Sequence, residues 1–78
     1  MTRPVVWAPR AHAELLALHW RSGTRVDREV LHYAATGEGH LERVLDSPGR
    51  FRLLVVPYVA IVSAHEGTLY VWRVLRAR

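Results

Sequence analysis

Residues 50–75, RFRLLVVPYVAIVSAHEGTLYVWRVL, decide the fold of this chain. Branched and aromatic residues fill three short runs, which are interrupted at Pro57 and at residues 65–67. This composition is typical of β-strands separated by turns. Neither interruption is long enough for a crossover helix, so neighbouring strands should be antiparallel. The stretch therefore predicts a three-stranded meander with strands near residues 50–56, 58–64 and 68–75.

Side-chain alternation along the predicted strands indicates which face of the sheet is covered. The simplest assignment buries four apolar residues of the first and third strands: Phe51, Leu53, Trp72 and Val74. It leaves three arginines on the opposite face: Arg50, Arg52 and Arg73. A face of this kind is either a binding surface or a solvated face that keeps the protein soluble, and alternation alone does not separate the two.

The segment before the meander predicts the layer that covers the sheet. Val5-Val6-Trp7 is long enough for one strand, and Pro9 suits the first position of a helix near residues 9–21. Apolar residues recur there at helical spacing, at Ala8, Ala11, Leu15, Leu16 and Leu18. Ser22-Gly23 is expected to end this helix.

A second helix is predicted near residues 25–36. Thr24-Arg25-Val26-Asp27 resembles a capping box, and Thr36-Gly37 is expected to stop the helix. Four of its residues should face inward: Val26, Val30, Tyr33 and Ala34. The two helices should form an antiparallel hairpin on the sheet, and residues 41–45 form either a strand edge or a short turn. The chain is thus a two-layer α+β protein with one domain over residues 1–78.

Composition restricts the classes of function. The chain has no cysteine and no long apolar run, which predicts a soluble cytoplasmic protein without a membrane partner. The chain has eleven basic residues, all of them arginine, and seven acidic residues. The resulting net charge of +4 favours nucleic acid or an acidic protein as partner. The five histidines lack the spacing of a metal site, and no nucleophile motif is present, so we expect no metal and no cofactor.

The arginines of the meander are the candidate functional residues. Five of them come from adjacent strands and could converge: Arg50, Arg52, Arg73, Arg76 and Arg78. Such a cluster could bind RNA and stabilise charge that develops on a phosphate during cleavage. The same cluster could instead bind an acidic partner peptide, and the sequence leaves both readings open.

The segment from Val6 to Arg78 resembles the RelE/ParE-type toxins of bacterial toxin–antitoxin systems. Five stretches carry the resemblance in order along the chain: residues 7–11 (WAPRA), 34–39 (AATGEG), 48–53 (PGRFRL), 58–62 (YVAIV) and 68–75 (TLYVWRVL). The resemblance implies the strand, helical hairpin and meander already predicted. It also implies a cognate acidic antitoxin, with which the chain would form a hetero-oligomer.

The resemblance implies two activities that inhibit growth. One is metal-independent, ribosome-dependent mRNA cleavage, for which it points to Arg52 and Arg76 as catalytic and to Arg50, Arg52, Arg73, Arg76 and Arg78 as RNA-binding. The family's nucleases carry a further arginine after the aromatic residue of the middle strand, where this chain has Val59. The alternatives are therefore inhibition of DNA gyrase, as in the ParE branch, or an inactive member that binds an antitoxin.

Overall fold

A computed structural model of the chain describes residues 2–77. It contains two helices and five strands, in the order β1 (Val5–Trp7), α1 (Pro9–Ala17), α2 (Trp20–Thr36), β2 (Leu41–Arg43), β3 (Phe51–Val55), β4 (Tyr58–His65) and β5 (Thr68–Arg76). The two-layer α+β architecture is confirmed, and each strand of the predicted meander is found within two residues of its expected bounds. Residues 41–43 form the strand that the sequence left as one of two alternatives.

The five strands form one mixed sheet in the order β1-β5-β4-β3-β2. The strands β2 to β5 are antiparallel to their neighbours, as the short connections require. The strand β1 joins the other edge and runs parallel to β5, with Val5 opposite Leu69 and Trp7 opposite Val71. The helical hairpin provides the long connection that carries the chain from one edge of the sheet to the other.

The core lies between the helical hairpin and one face of the sheet. On α2, Val26, Val30 and Ala34 are buried at the helical spacing expected from the sequence. They pack with alternate residues of the strands, among them Leu53 and Val62. Phe51 and Tyr33 lie at the margin of this cluster and are partly buried. The inward face predicted for the second helix is therefore confirmed.

The boundary between the helices differs from the prediction. The helix α1 ends at Ala17 and α2 begins at Trp20, so Ser22-Gly23 and the expected capping box at residues 24–27 lie inside α2. The cap is His19, whose Nδ1 accepts a hydrogen bond from the backbone N–H of Arg21 at 3.2 Å. A Cβ at Gly23 would lie 3.3 Å from the carbonyl oxygen of Leu15. Gly23 therefore lies at a close contact between the two helices, and it does not end one.

The assignment of β5 to the two faces of the sheet is wrong at Trp72. Val62 pairs with Val71 and Ile61 pairs with Arg73, so the ladder skips Trp72 in a β-bulge. Because the bulge changes the alternation, Leu69, Val71 and Val74 are all buried, whereas Trp72 lies half-buried on the opposite face. Arg73 remains paired with Ile61, and its guanidinium group contacts Glu14 of α1 beside the edge of β5.

The helices are short relative to a lipid bilayer. Within residues 2–77, neither helix has the length and the apolar composition needed to cross a membrane.

Candidate functional site

The sheet surface opposite the two helices, called the open face here, is the candidate functional site. Strand pairing places residues that oppose each other on the same face, which identifies most of its members, and side-chain contacts add Arg50 and Trp72. They are Val6, Glu42, Arg50, Arg52, Leu54, Val59, Ile61, Ser63, Tyr70, Trp72 and Leu75. Arg73 opposes Ile61 at the margin of this face, but its guanidinium group turns to Glu14 of α1. Most of them are aliphatic or aromatic, so the open face is an apolar surface with a charged margin.

Aromatic side chains occupy the β4–β5 part of the open face. The rings of Tyr70 and Trp72 are stacked, with centroids 5.8 Å apart and an interplanar angle of 16°. The indole Nε1 of Trp72 donates a hydrogen bond to Ser63 Oγ at 2.8 Å. The guanidinium carbon of Arg50 lies 4.7 Å from the centroid of the Trp72 ring. The cation–π contact holds Arg50 against this aromatic pair.

Arg52 lies on the open face beside the edge strand. It is opposite Glu42 in the β2–β3 ladder, and its Nη1 lies 3.8 Å from the Glu42 carboxylate. Both side chains are close to half exposed, so the pair contributes little to stability. The carboxylate nevertheless offsets the charge of Arg52 locally.

Val59 lies at the centre of the open face and has only 2% of its surface exposed. It is not a member of the core cluster that packs beneath the helices in residues 2–77. Its strand partners Leu54 and Leu75 flank it on either side. The position where the family resemblance implies an arginine is thus occupied here by a shielded aliphatic side chain.

The guanidinium group of Arg73 binds the carboxylate of Glu14 on α1. Its Nε and Nη2 donate to both carboxylate oxygens of Glu14, the shortest contact being 2.8 Å. The same carboxylate accepts the backbone N–H of Val74 at 2.9 Å, beyond the last β5 residue that pairs with β1. The hydrogen bonds from Arg73 and from that N–H lower the pKa of Glu14, and the bond to Glu14 raises the pKa of Arg73.

Arg76 also lies away from the open face. It is opposite Tyr58 in the β4–β5 ladder, and Tyr58 packs against the core on the helical side. Its guanidinium carbon lies 5.9 Å from the centroid of the Tyr58 ring. Arg78 lies outside the described residues.

Four of the five candidate arginines lie in residues 2–77, and these four do not converge. Arg50 and Arg52 lie on the open face, Arg73 is bound to Glu14, and Arg76 lies beside Tyr58. Within residues 2–77, no group of three or more metal-ligating side chains lies close enough together to hold a metal ion. The open face offers a binding surface with two guanidinium groups rather than a cluster of acid–base groups.

Sequence reasoning missed the aromatic members of the open face. Trp72 was assigned by alternation along a β5 strand without a bulge, which placed it on the helical face. No pattern in the sequence marks this bulge, because it depends on the register with β4.

Solved structures share this fold across nearly the whole chain. A chain of the RelBE2 toxin–antitoxin complex from Mycobacterium tuberculosis has a TM-score of 0.82 at 18% identity, with 100% of this chain and 95% of that chain covered. A chain of the chromosomal ParDE toxin–antitoxin system from P. aeruginosa has a TM-score of 0.77 at 15% identity, with coverages of 99% and 98%. A chain of the RelB–RelE antitoxin–toxin complex from Methanococcus jannaschii has a TM-score of 0.75 at 13% identity, with coverages of 91% and 88%.

These similarities are structural. No protein-family model matches the chain, and no curated protein matches it in sequence. At these identities the likeness defines the fold, and the chain has the α+β fold of the RelE and ParE toxins. The resemblance carried by the sequence motifs is confirmed at this level.

Proposed function

We propose that this protein is the toxin component of a toxin–antitoxin system and that an acidic antitoxin binds its open face. The fold supports this proposal, because its structural neighbours belong to toxin–antitoxin complexes. The observation that carries it is the open face itself, an apolar sheet surface that no element among residues 2–77 covers. Surfaces of this kind in small soluble proteins mark sites of protein binding.

The chemistry of the open face fits an acidic, amphipathic partner segment. Its apolar centre offers Leu54, Ile61 and the aromatic pair to hydrophobic side chains of the partner. Arg50 and Arg52 lie at its margin, where guanidinium groups can form bidentate hydrogen bonds with carboxylates. The net charge of +4 would speed association with such a segment.

For the activity of the free toxin, we propose a protein target, with DNA gyrase as the candidate, in preference to RNA cleavage. Cleavage needs charge stabilisation at the scissile phosphate, and Val59 supplies none. Arg50 is held on the Trp72 ring and Arg52 is paired with Glu42, so neither is directed into a shared cluster. An apolar, aromatic face is better suited to a protein surface than to a phosphate backbone.

Ribosome-dependent mRNA cleavage is the second candidate, and one observation favours it. Arg50 and Arg52 both remain on the open face, where the family resemblance implies contacts with mRNA. If this second candidate is correct, the protein is a nuclease with a weakened active site, and Arg52 would supply most of the charge stabilisation.

Induced expression in a bacterial host separates the two activities. A gyrase inhibitor should arrest growth with DNA damage and intact messages, and primer extension on translated mRNAs should detect no new cuts. Replacing Val59 by arginine tests the second candidate, since it should strengthen cleavage by a weakened nuclease and leave gyrase inhibition unimproved. Ribosome-dependent cuts in cells that express the wild-type protein would overturn the preference for a protein target.

A control variant is needed to show that any effect belongs to the open face. Arg43→Gln removes one arginine from the adjacent strand β2, at an exposed position opposite Phe51. It should arrest growth as the wild type does, whereas Arg52→Gln should weaken arrest under either activity. Equal effects of the two substitutions would show that net charge matters and the open face does not.

A further inference from the structure

A cavity of about 480 Å³ opens between the two helices, beside the end of β1. Gly23 of α2 lines it at the point where the helices approach each other closely, since a Cβ there would lie 3.3 Å from the carbonyl oxygen of Leu15. A volume of this size lies within the range of sites that bind small molecules.

The walls of the cavity are mainly apolar. They consist of two indole rings, Trp7 and Trp20, and three leucines, Leu15, Leu16 and Leu18. Trp7, Leu15 and Leu18 are partly buried against the core, so this part of the wall is fixed by the fold. Leu16 and Trp20 are each 69% exposed, and an apolar body that enters the cavity would remove part of their surface from water.

Three hydrogen-bond acceptors line the same cavity. They are the carboxylate of Asp27 and the hydroxyl oxygen of Thr24 on α2, and the imidazole of His12 on α1, which accepts through one nitrogen when it is neutral. Within residues 2–77, no basic side chain, His12 included, has a nitrogen within 4.0 Å of the Asp27 carboxylate. The carboxylate therefore faces the cavity without a cation of its own.

The charge of the cavity is opposite to that of the protein. Eleven of the 78 residues are arginines, yet none of them is among the described residues that line the cavity. Arg21 packs against the Trp20 ring at 5.2 Å from its centroid but lines a separate cavity. The formal charge of the lining is thus that of Asp27, and it favours a cation over the anions that the remaining surface attracts.

We propose that this cavity binds a small organic amine in which a primary ammonium group is joined to an aromatic body. An ammonium group has three N–H donors, which match the acceptors of Asp27, Thr24 and His12. The ring would pack on the leucines and indoles, and the faces of Trp7 and Trp20 also attract a cation. None of these residues belongs to the open face, so the proposal is independent of the proposed function.

Titration of the ¹⁵N-labelled protein with phenethylamine tests the proposal, because each tryptophan gives its own indole N–H signal in the NMR spectrum. Trp7 and Trp20 line the cavity, whereas Trp72 lies on the open face and serves as an internal control. The first two signals should shift and saturate with a Kd in the millimolar range, as expected for a ligand of this size, and that of Trp72 should stay in place. Shifts of all three signals, or of none, would overturn the proposal.

Two analogues show whether the cavity selects for the ammonium group. The compound 3-phenylpropionate has a similar body and the opposite charge, and it should bind at least about fivefold more weakly than phenethylamine. Uncharged 2-phenylethanol should bind with an intermediate affinity. Equal affinities for phenethylamine and 3-phenylpropionate would show an apolar cavity without selectivity for a cation and would overturn the proposal.

Substitution of Asp27 identifies the group that binds the ammonium. Asp27→Asn should weaken the binding of phenethylamine about fivefold and leave that of 2-phenylethanol unchanged. Glu29→Gln is the matched control, since it removes the same charge from α2 at a position outside this cavity, and it should bind phenethylamine as the wild type does. Equal losses in the two variants would show that net charge is responsible and would contradict the assigned role of Asp27.

The exposed ring of Trp20 provides a second variant that should leave the fold intact. Trp20→Ala should weaken phenethylamine and 2-phenylethanol alike, because both ligands pack on the same wall, and the signal of Trp7 still reports binding. Unchanged affinity for both ligands would place them outside the cavity and overturn the proposal.

A second copy of the chain is the competing occupant, because Leu16 and Trp20 are exposed apolar side chains at the same cavity. Sedimentation equilibrium without ligand, at the concentration of the NMR sample, should find a monomer. A dimer that phenethylamine does not dissociate, and whose formation shifts the signals of Trp7 and Trp20, would assign the cavity to self-association and overturn the proposal.

Discussion

The contact between Glu14 and Arg73 gives a sharp test of how the helical layer is fixed to the sheet. Glu14 accepts hydrogen bonds from two nitrogens of Arg73 and from the backbone N–H of Val74. This contact joins α1 to Arg73 and Val74 of β5, which lie beyond the segment that pairs with β1. The substitution Glu14→Gln keeps the size of the side chain and one oxygen acceptor but removes the charge.

The expected cost of Glu14→Gln follows from the hydrogen bonds that it weakens. Hydrogen bonds to a charged group contribute about 1.5–3 kcal/mol each, and glutamine can retain the bond to the N–H of Val74. We therefore expect a loss of about 1.5–3 kcal/mol in the free energy of unfolding. A chain of this length has a total stability of roughly 4–12 kcal/mol, at 0.05–0.15 kcal/mol per residue. The melting temperature should fall by about 6–24 °C, at about 4–8 °C per kcal/mol.

Thermal unfolding followed by circular dichroism at pH 7 measures this loss. The control is Arg10→Gln, which removes the exposed second partner of Glu14 at 3.8 Å and should cost less than about 0.5 kcal/mol. A melting temperature for Glu14→Gln within the error of the Arg10→Gln value would refute the assigned role of the contact.

The pH dependence of the same pair provides a second check. Because the pKa of Glu14 is lowered in the folded state from its ordinary value of 4.5, its contribution to stability is complete above that value. The contribution is lost as the pH falls through the lowered pKa of the folded protein. The difference in the free energy of unfolding between the wild type and Glu14→Gln should therefore become smaller as the pH falls below about 4.5. A difference that stays constant down to pH 3 would show that the carboxylate charge is not what stabilises the contact.

Four further substitutions test the packing and the faces of the sheet. Leu53→Ala should lower the free energy of unfolding, measured by chemical denaturation, by about 2–5 kcal/mol, because Leu53 is buried in the core. Trp72→Ala should lower it by less than half as much, because Trp72 lies half-buried on the open face. The reverse order would contradict the bulge in β5. Gly23→Ala should change the free energy of unfolding by less than about 1 kcal/mol, because the higher helix propensity of alanine offsets the close contact of its Cβ with the carbonyl oxygen of Leu15. A loss above about 2 kcal/mol would show that the two helices cannot move apart to admit the methyl group. Arg52→Ala should unfold within about 0.5 kcal/mol of the wild type, since its ion pair is exposed, and a larger change would show that Arg52 has a structural role.

The meander could be predicted because its signals are local. Runs of β-branched residues ended by short turns specify antiparallel strands without reference to the rest of the chain. The inward face of α2 was equally predictable, since Val26, Val30 and Ala34 recur at helical spacing. These features depend on periodicity, which the sequence displays directly.

The helix boundary and the faces of β5 could not be predicted in the same way. A glycine serves both as a helix stop and as a site of close helix packing, and the neighbours that decide between these roles at Gly23 are Leu15 and Leu18 on another helix. The bulge at Trp72 depends on the register with β4, and Arg73 finds its partner 59 residues away in Glu14. Both features are set by tertiary contacts.

The same limit applies to the candidate site. The sequence correctly placed Arg50 and Arg52 on one face because β3 alternates regularly. It grouped Arg73 with them by alternation and added Arg76 because residues of adjacent strands could converge. It could not show that Arg73 binds Glu14 or that Arg76 lies beside Tyr58, since both contacts are tertiary. Nor could it show that Arg21 and Arg25 line a cavity with Tyr58, which follows from the packing of α2 on the end of the sheet.

We propose that this protein is a toxin that an acidic partner neutralises through the open face. The most direct measurement is the viable count after induced expression of the chain, alone and together with a small acidic protein encoded by a neighbouring reading frame. Viability should fall when the chain is expressed alone and recover when the partner is present. An unchanged viable count at a confirmed level of folded protein would contradict it.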